Sequence, residues 1–262
     1  MKFSVYQMEI IPGEPDRNRK KVEKWIEKVV KEERSDSIVL PEMWTTSYKL
    51  THLDELADVA GEPTKSFLRD MAIRHNVNII GGSVANKVDD QIFNTSFVFN
   101  ASGELVYEYS KIHLVPMLDE PKYLTGGTKK VETFELDGIK MGIIICYDLR
   151  FPELARSLAL EGAQVLFVVA EWPSVRERHW TSLQIARAIE NQMYVVSSNT
   201  IGTFDGVEYA GSSMLIDPWG DVIEQGSTNQ EETLSCSLDL EKVKQVREEV
   251  PIFSSRVPNL YN

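Results

Sequence analysis

Apolar and polar positions alternate from Phe3 to Met8, the period of a half-buried strand. Pro12-Gly13-Glu14-Pro15 then marks a turn, with Asp16 as the N-cap of a helix. In that helix Val22, Trp25, Ile26, Val29 and Val30 share one face. Lys and Glu cover the rest, including a Glu27–Lys31 pair at i,i+4 spacing. Ser37 to Leu40 is a short buried strand that stops at Pro41-Glu42-Met43-Trp44. Thr64 to His75 returns to the helical period, and Val77 to Val84 is a strand whose Gly81-Gly82 pair marks a close backbone approach. Phe93 to Phe99 and Leu105 to Ser110 pair as a hairpin across Asn100-Ala101-Ser102-Gly103. Val131 to Leu136 and Ile139 to Ile145 pair across Asp137-Gly138.

The second half repeats this alternation. Pro152 to Glu161 is a helix, Gln164 to Val169 a strand, and Ser174 to Gln192 a long helix with Trp180, Leu183, Ala186, Ile189 and Met193 in register. Val195 to Ser198 is a strand. Ser212 to Asp217, Asp221 to Gln225 and Thr233 to Leu238 form a meander with a turn at Pro218-Trp219-Gly220, and Leu240 to Glu249 is a charged helix before an irregular tail. Strands alternating with helices in both halves, each half also carrying hairpins, predict an α/β fold. The architecture is a four-layer α-β-β-α sandwich, two mixed sheets face to face with helices outside. With no Pro/Gly/Ser-rich linker, residues 1–262 read as one domain.

Charge narrows the function classes. The chain has 262 residues and a formal net charge of -12, from 28 Lys+Arg against 40 Asp+Glu. Such an acidic surface repels polyphosphate and has no polybasic attraction to anionic lipid, so neither nucleic acid nor membrane is an expected partner. The N-terminal residues have no long apolar core or small-residue cleavage site, and no apolar run is long enough to span a bilayer. Two cysteines, Cys146 and Cys236, make no disulfide framework, and the expected compartment is the cytoplasm.

Chemistry concentrates at strand ends. Nucleotide-binding loops and a GxSxG elbow are absent. The four histidines are too scattered for a metal site. Cys146 stands where the apolar run Ile143-Ile144-Ile145 stops and a helical pattern opens at Pro152. That position suits a rigidly mounted nucleophile facing helix amides that favour thiolate. Alone, the same thiol also fits a buried core residue. Glu42 follows the Ser37–Leu40 strand, and Lys111 ends the strand Leu105–Ser110. Converging, a carboxylate, an ammonium and a thiol could perform acyl transfer: base, oxyanion stabiliser and nucleophile. Singly, Glu42 and Lys111 also fit a surface ion pair.

These residues carry a resemblance. Pro-Glu-Met-Trp-Thr-Thr at 41–46, Lys-Ile-His-Leu at 111–114 and Cys-Tyr-Asp-Leu-Arg-Phe-Pro-Glu at 146–153 resemble the three signature blocks of the nitrilase superfamily of carbon–nitrogen hydrolases. Trp172-Pro173, the run from Ala186 to Gln192, and Tyr209-Ala210-Gly211-Ser212-Ser213 with Asp217-Pro218 match later blocks, so the likeness spans nearly the whole chain. It implies the α-β-β-α fold, catalysis without cofactor or metal, and self-association into at least a homodimer. Glu42 becomes the general base, Lys111 the oxyanion stabiliser and Cys146 the nucleophile. Glu120, in Glu120-Pro121-Lys122-Tyr123, matches a second family glutamate that holds the lysine or positions the substrate amine, with Asp119 beside it as a competing choice.

The blocks PEMWTTSY, AEWP and ARAIENQ look most like the omega-amidase branch, which hydrolyses the terminal amide of short dicarboxylic monoamides such as 2-oxoglutaramate and 2-oxosuccinamate. The expected partner is therefore a small amide. Arg176, Arg178 and His179 crowd a first helical turn, where cations are unfavourable, and Arg150 lies four residues past Cys146. Either Arg150 or Arg176 suits a substrate carboxylate. Trp44, Tyr48, Met117, Tyr147 and Trp172 are the candidate pocket walls. One departure is Glu171, where relatives often carry Asn before Trp-Pro; it puts an acidic group near the cationic pocket. Open alternatives are N-carbamoyl amine or nitrile hydrolysis, a Cys-His hydrolase using His113 or His179, and a catalytically idle scaffold.

Overall fold

A computed structural model describes residues 1–261. The strands, in chain order, are β1 (Lys2–Gln7), β2 (Ser37–Val39), β3 (Asp58–Val59), β4 (Asn78–Ile80), β5 (Val84–Val88), β6 (Gln91–Phe99), β7 (Leu105–Ser110), β8 (Phe134–Leu136), β9 (Ile139–Ile145), β10 (Val165–Ala170), β11 (Tyr194–Asn199), β12 (Thr203–Phe204), β13 (Val207–Glu208), β14 (Met214–Ile216), β15 (Val222–Gln225) and β16 (Glu232–Ser237). The helices are α1 (Pro15–Glu33), α2 (Leu53–Leu56), α3 (Thr64–His75), α4 (Glu120–Tyr123), α5 (Pro152–Leu160), α6 (Glu177–Asn191) and α7 (Glu241–Glu249).

One eight-stranded sheet runs β16-β1-β2-β4-β6-β5-β3, with β7 also paired to β6; a six-stranded sheet runs β15-β14-β11-β10-β9-β8. Both are mixed. In the second, β9, β10 and β11 are parallel, as connections through α5 and α6 require. Alternation along the strands of the first sheet sorts its side chains. Phe3, Val5, Val39, Ile80 and Val98 face inward and join β9, β10 and β11 in one core. Tyr6, Ile38, Ile79, Phe97 and Phe99 face outward and pack under α1 and α3. On the far side α5 and α6 cover the second sheet through Ala155, Leu158, Trp180 and Ala188. The architecture is the α-β-β-α sandwich that the alternation predicts.

Three local expectations change. Asp16 is not an N-cap; α1 begins at Pro15, and Asp16 sits in its first turn, paired with Arg19 at 2.8 Å. The expected strand Val77–Val84 is two strands, because Gly82 adopts φ +60° and packs on the next loop, where a Cβ would lie 2.0 Å from the Pro41 carbonyl oxygen. The expected meander keeps only its β14–β15 hairpin. β16 crosses to the other sheet and pairs antiparallel with β1, Cys236 opposite Phe3, so Cys236 is a half-buried position at the edge of that sheet.

Helix α6 also presents a different face from the expected apolar register. Its buried residues are Trp180, Gln184, Arg187, Ala188 and Asn191, while Ile189 is exposed. Arg187 accounts for the substitution of polar for apolar: its guanidinium donates to the Leu149 carbonyl (2.8 Å) and pairs with Glu190 (2.8 Å), so the helix is fastened to the turn after β9 by hydrogen bonds.

Candidate active site

Glu42 lies in the loop after β2, which the glycine break between β4 and β5 cradles. Ser83 N–H donates to Pro41 O (3.1 Å), Ser83 Oγ accepts from Met43 N–H (3.0 Å), and Trp44 N–H donates to Ser83 O (3.1 Å). The Trp44 indole N–H reaches Gly81 O at 2.8 Å. Trp44 is therefore not a pocket wall. Its ring lies in the outer core against Phe67, and it anchors the loop that carries Glu42.

Lys111 follows β7. Its N–H donates to Asn94 O (2.9 Å) and its carbonyl accepts from Gly127 N–H (2.8 Å), a close approach in which any Cβ on Gly127 would meet Ser110 O at 2.2 Å. Glu120 opens α4, and its Oε2 accepts from Val115 N–H at 2.7 Å. Cys146 follows β9 and begins a short 3-10 turn, Cys146–Arg150, with φ +45°, a conformation that L residues rarely adopt and that surrounding structure must hold.

These segments meet in one buried cluster. Lys111 Nζ donates to Glu42 Oε1 (2.9 Å) and Glu120 Oε1 (2.7 Å), and all three side chains are inaccessible to solvent. Asn94 Nδ2 donates to Glu42 Oε1 (2.8 Å), and Glu171 N–H donates to Glu42 Oε2 (2.8 Å). Tyr48, expected as a wall, stands inside the cluster. Its hydroxyl lies 2.6 Å from Glu120 Oε1 and 2.9 Å from Glu42 Oε1, and Lys111 Nζ approaches it at 3.3 Å. The single phenolic proton serves one carboxylate at a time. Burial, then Glu120 and Glu42, raise the Tyr48 pKa well above 10, so it stays a neutral donor.

Electrostatics set the resting protonation. Burial pulls the Lys111 ammonium down, but Glu42 and Glu120 outweigh it and hold its pKa well above the ordinary value. The Cys146 thiol goes up, first from burial and then from the negative charge of the Glu42 carboxylate, against the pull of Lys111. The thiolate expected from a helix mouth is thus corrected: the resting group is a neutral thiol beside a carboxylate. Glu171 also departs from expectation. Its side chain sits behind Glu42, not beside the arginines, with Ser47 Oγ donating to its Oε1 (2.7 Å) and Oε2 without a partner. Burial raises its pKa well above the carboxylate range, so it adds no negative charge at neutral pH.

Arg150 lies beside this cluster, its guanidinium 4.6 Å from the Trp172 ring and 5.7 Å from the Tyr147 ring. Trp172 is buried, its indole N–H donating to Arg176 O (2.9 Å), so it forms the floor under Arg150. A cavity of about 410 Å³ is lined by Arg150, Arg178, His179, Ser182 and Leu183. Among the described residues, no ion pair involves Arg150, Arg176 or Arg178. Arg176 is half-buried and adds its own charge to that of Arg150, whose pKa burial and this neighbour lower. Met117 is largely exposed in the turn before Glu120 and is not among the residues lining this cavity.

The histidines do not contact the thiol. His113 Nδ1 engages Asp148 (2.8 Å) with its ring stacked on Phe151, and His179 meets Arg150 (3.3 Å). A Cys-His hydrolase has no geometric support here. The sequence does not mark Asn94 or Ser47 for this site, since Asn94 is only one of the polar residues Gln91, Asn94, Thr95 and Ser96 in β6.

Comparison with known proteins places this arrangement in context. The family model described as carbon-nitrogen hydrolase matches residues 2–248. A Staphylococcus aureus protein described as hydrolase in agr operon is 46% identical over 264 residues, covering 100% of both chains. The 2-oxoglutaramate amidase of Bacillus subtilis (strain 168) is 44% identical over 259 residues, covering 99% of this chain and 98% of its own. The crystal structure of a carbon-nitrogen hydrolase from Helicobacter pylori G27 superposes with a TM-score of 0.92 at 24% identity, covering 100% of this chain and 97% of the other, a likeness of fold.

Proposed function

The chain belongs to the carbon-nitrogen hydrolase family, and from that premise we propose that it is an omega-amidase-like enzyme. It hydrolyses the terminal amide of a short dicarboxylic monoamide, of which 2-oxoglutaramate is the first candidate, through a thioester on Cys146. The observation that carries this is the solvent-excluded contact of Lys111 with both Glu42 and Glu120 next to a neutral thiol. Because the thiol is not ionised at rest, attack needs a base. Glu42 takes the Cys146 proton as Sγ bonds to the amide carbon, and the carbonyl oxygen becomes an oxyanion.

The Lys111 ammonium and the Tyr147 N–H stabilise that oxyanion. Collapse breaks the C–N bond, Glu42 returns the proton to the leaving nitrogen, and ammonia departs. Water then attacks the thioester with Glu42 again as base, giving the acid and regenerating the thiol. Glu120 holds Lys111 in position throughout, and Tyr48 and Asn94 fix the Glu42 carboxylate.

The substrate assignment rests on Arg150. In a protein of net charge -12, a guanidinium with buried Nε unpartnered and a second arginine near it calls for an anion. A substrate carboxylate satisfies it with bidentate geometry, while Arg176 and Arg178 add positive potential. Partners beyond the substrate are copies of the chain: Val175, Ile189 and Trp219 expose apolar surface suited to a homodimer, checked by analytical ultracentrifugation.

Ammonia release by the purified protein is measured on a panel of 2-oxoglutaramate, glutamine, an N-carbamoyl amine and a nitrile. The highest kcat/KM is expected on 2-oxoglutaramate, with an acyl adduct seen by mass spectrometry and lost in Cys146→Ala. A preference for the carbamoyl compound or nitrile overturns the amidase assignment, and turnover without any adduct overturns the thioester.

A further inference from the structure

Lys111 and Cys146 come from different sheets: Lys111 follows β7 of the first, and Cys146 follows β9 of the second. Oxyanion stabilisation requires their relative placement to hold within a fraction of an ångström, yet neither strand pairs with the other. A buried side chain joins the segments flanking these two residues directly. Asp148 is wholly inaccessible and accepts four hydrogen bonds, two per oxygen. Its Oδ2 accepts from Ile145 N–H (3.2 Å) and from the Tyr109 hydroxyl (2.8 Å). Its Oδ1 accepts from His113 N–H (3.0 Å) and lies 2.8 Å from His113 Nδ1.

Tyr109 and His113 stand two positions either side of Lys111, and Ile145 directly precedes Cys146. The carboxylate therefore ties the Tyr109 hydroxyl on one side of Lys111, and the backbone and ring of His113 on the other, to the turn that holds Cys146 at φ +45°. We propose that Asp148 is a positioning residue that sets Cys146 and Lys111 in register across the two sheets; this rests on the assignment of those two as nucleophile and oxyanion stabiliser. Its two oxygens have four lone-pair sites, and all four are taken. Asparagine at 148 turns one oxygen into an NH₂ donor that faces donors already present, so at least one clasp opens.

The closing experiment compares wild type with Asp148→Asn and Tyr109→Phe. Asp148→Asn should lower kcat on the order of 10²-fold, the loss that a misplacement of about 1 Å produces, with KM within about threefold of wild type. Tyr109→Phe removes one of four donors and should lower kcat by roughly three- to tenfold, the effect of about one hydrogen bond. A residue that merely satisfies core polarity would lower the melting temperature and leave kcat of the folded fraction unchanged; that result overturns the proposal, as does a loss confined to KM. If Asp148→Asn does not fold, Tyr109→Phe decides by the same criterion.

Substrate-free alkylation of Cys146 by iodoacetamide is the second readout. It should be slower in both variants, because Lys111 lowers the thiol pKa only from its clasped position, and an unchanged rate overturns the clasp. Wild-type protein that alkylates at Cys146 but hydrolyses no amide instead overturns the assignment of the site.

Discussion

Replacing Glu171 by Gln tests the electrostatics of the site through stability. The Glu171 carboxyl is 1% exposed, bonded at one oxygen to Ser47 and unpartnered at the other. Burial raises its folded pKa well above the ordinary 4.5. The unfolded chain releases this proton near 4.5 and the folded chain keeps it. Stability present below pH 4.5 is therefore lost as pH rises from 4.5 toward the folded value, by about 1.36 kcal/mol per pH unit.

Glutamine keeps the shape and the acceptor for Ser47 but has no proton to release. Between pH 5.0 and 6.5 the stability of Glu171→Gln relative to wild type should accordingly rise by about 2 kcal/mol, which is 1.5 units at about 1.36 each. Urea unfolding followed by tryptophan fluorescence at several pH values and fixed protein concentration reads this directly. With a slope of roughly 3 kcal/mol/M, the midpoint difference should widen by about 0.7 M over that range. A stability difference that does not change with pH would show Glu171 ionised in the fold and refute the reasoning.

Lys111→Met removes the cation shared by Glu42 and Glu120 and strands two buried carboxylates. It should destabilise the protein by about 3–5 kcal/mol and abolish ammonia release, and near-wild-type stability by denaturant titration would contradict the pairing. Glu42→Gln removes the carboxylate that raises the Cys146 pKa, so iodoacetamide alkylation should move to lower pH while turnover falls by about 10²–10⁴-fold. Alkylation moving to higher pH would refute that coupling. Arg150→Ala should raise KM for 2-oxoglutaramate by about 10–100-fold, the value of a charged hydrogen-bonded contact, and leave a neutral amide little changed. Equal effects on both substrates would remove Arg150 as the carboxylate receptor.

Local periodicity made the layers legible. β9 could be read from Ile143-Ile144-Ile145, and α3 from Thr64 to His75, because strand and helix periods depend on near neighbours. The same patterns failed where a distant partner decides. α6 turns a polar face inward because Leu149 offers a carbonyl to Arg187, and β16 leaves its hairpin neighbours because β1 has a free edge across the sandwich. Trp44 reads as an aromatic wall by position, yet its indole is spent on Gly81 in the core.

What the sequence determined by itself is the kinds of group available: a carboxylate at Glu42, an ammonium at Lys111 and a thiol at Cys146 at strand ends, and a second carboxylate at Glu120. Their order along the chain and flanking motifs are local information. Only the tertiary structure decided their charge states and company. The thiol is neutral rather than ionised, Glu171 is uncharged behind Glu42, and Tyr48 and Asn94 join the cluster, because pKa values and hydrogen-bond partners follow from burial and from groups that are far apart in sequence and close in space.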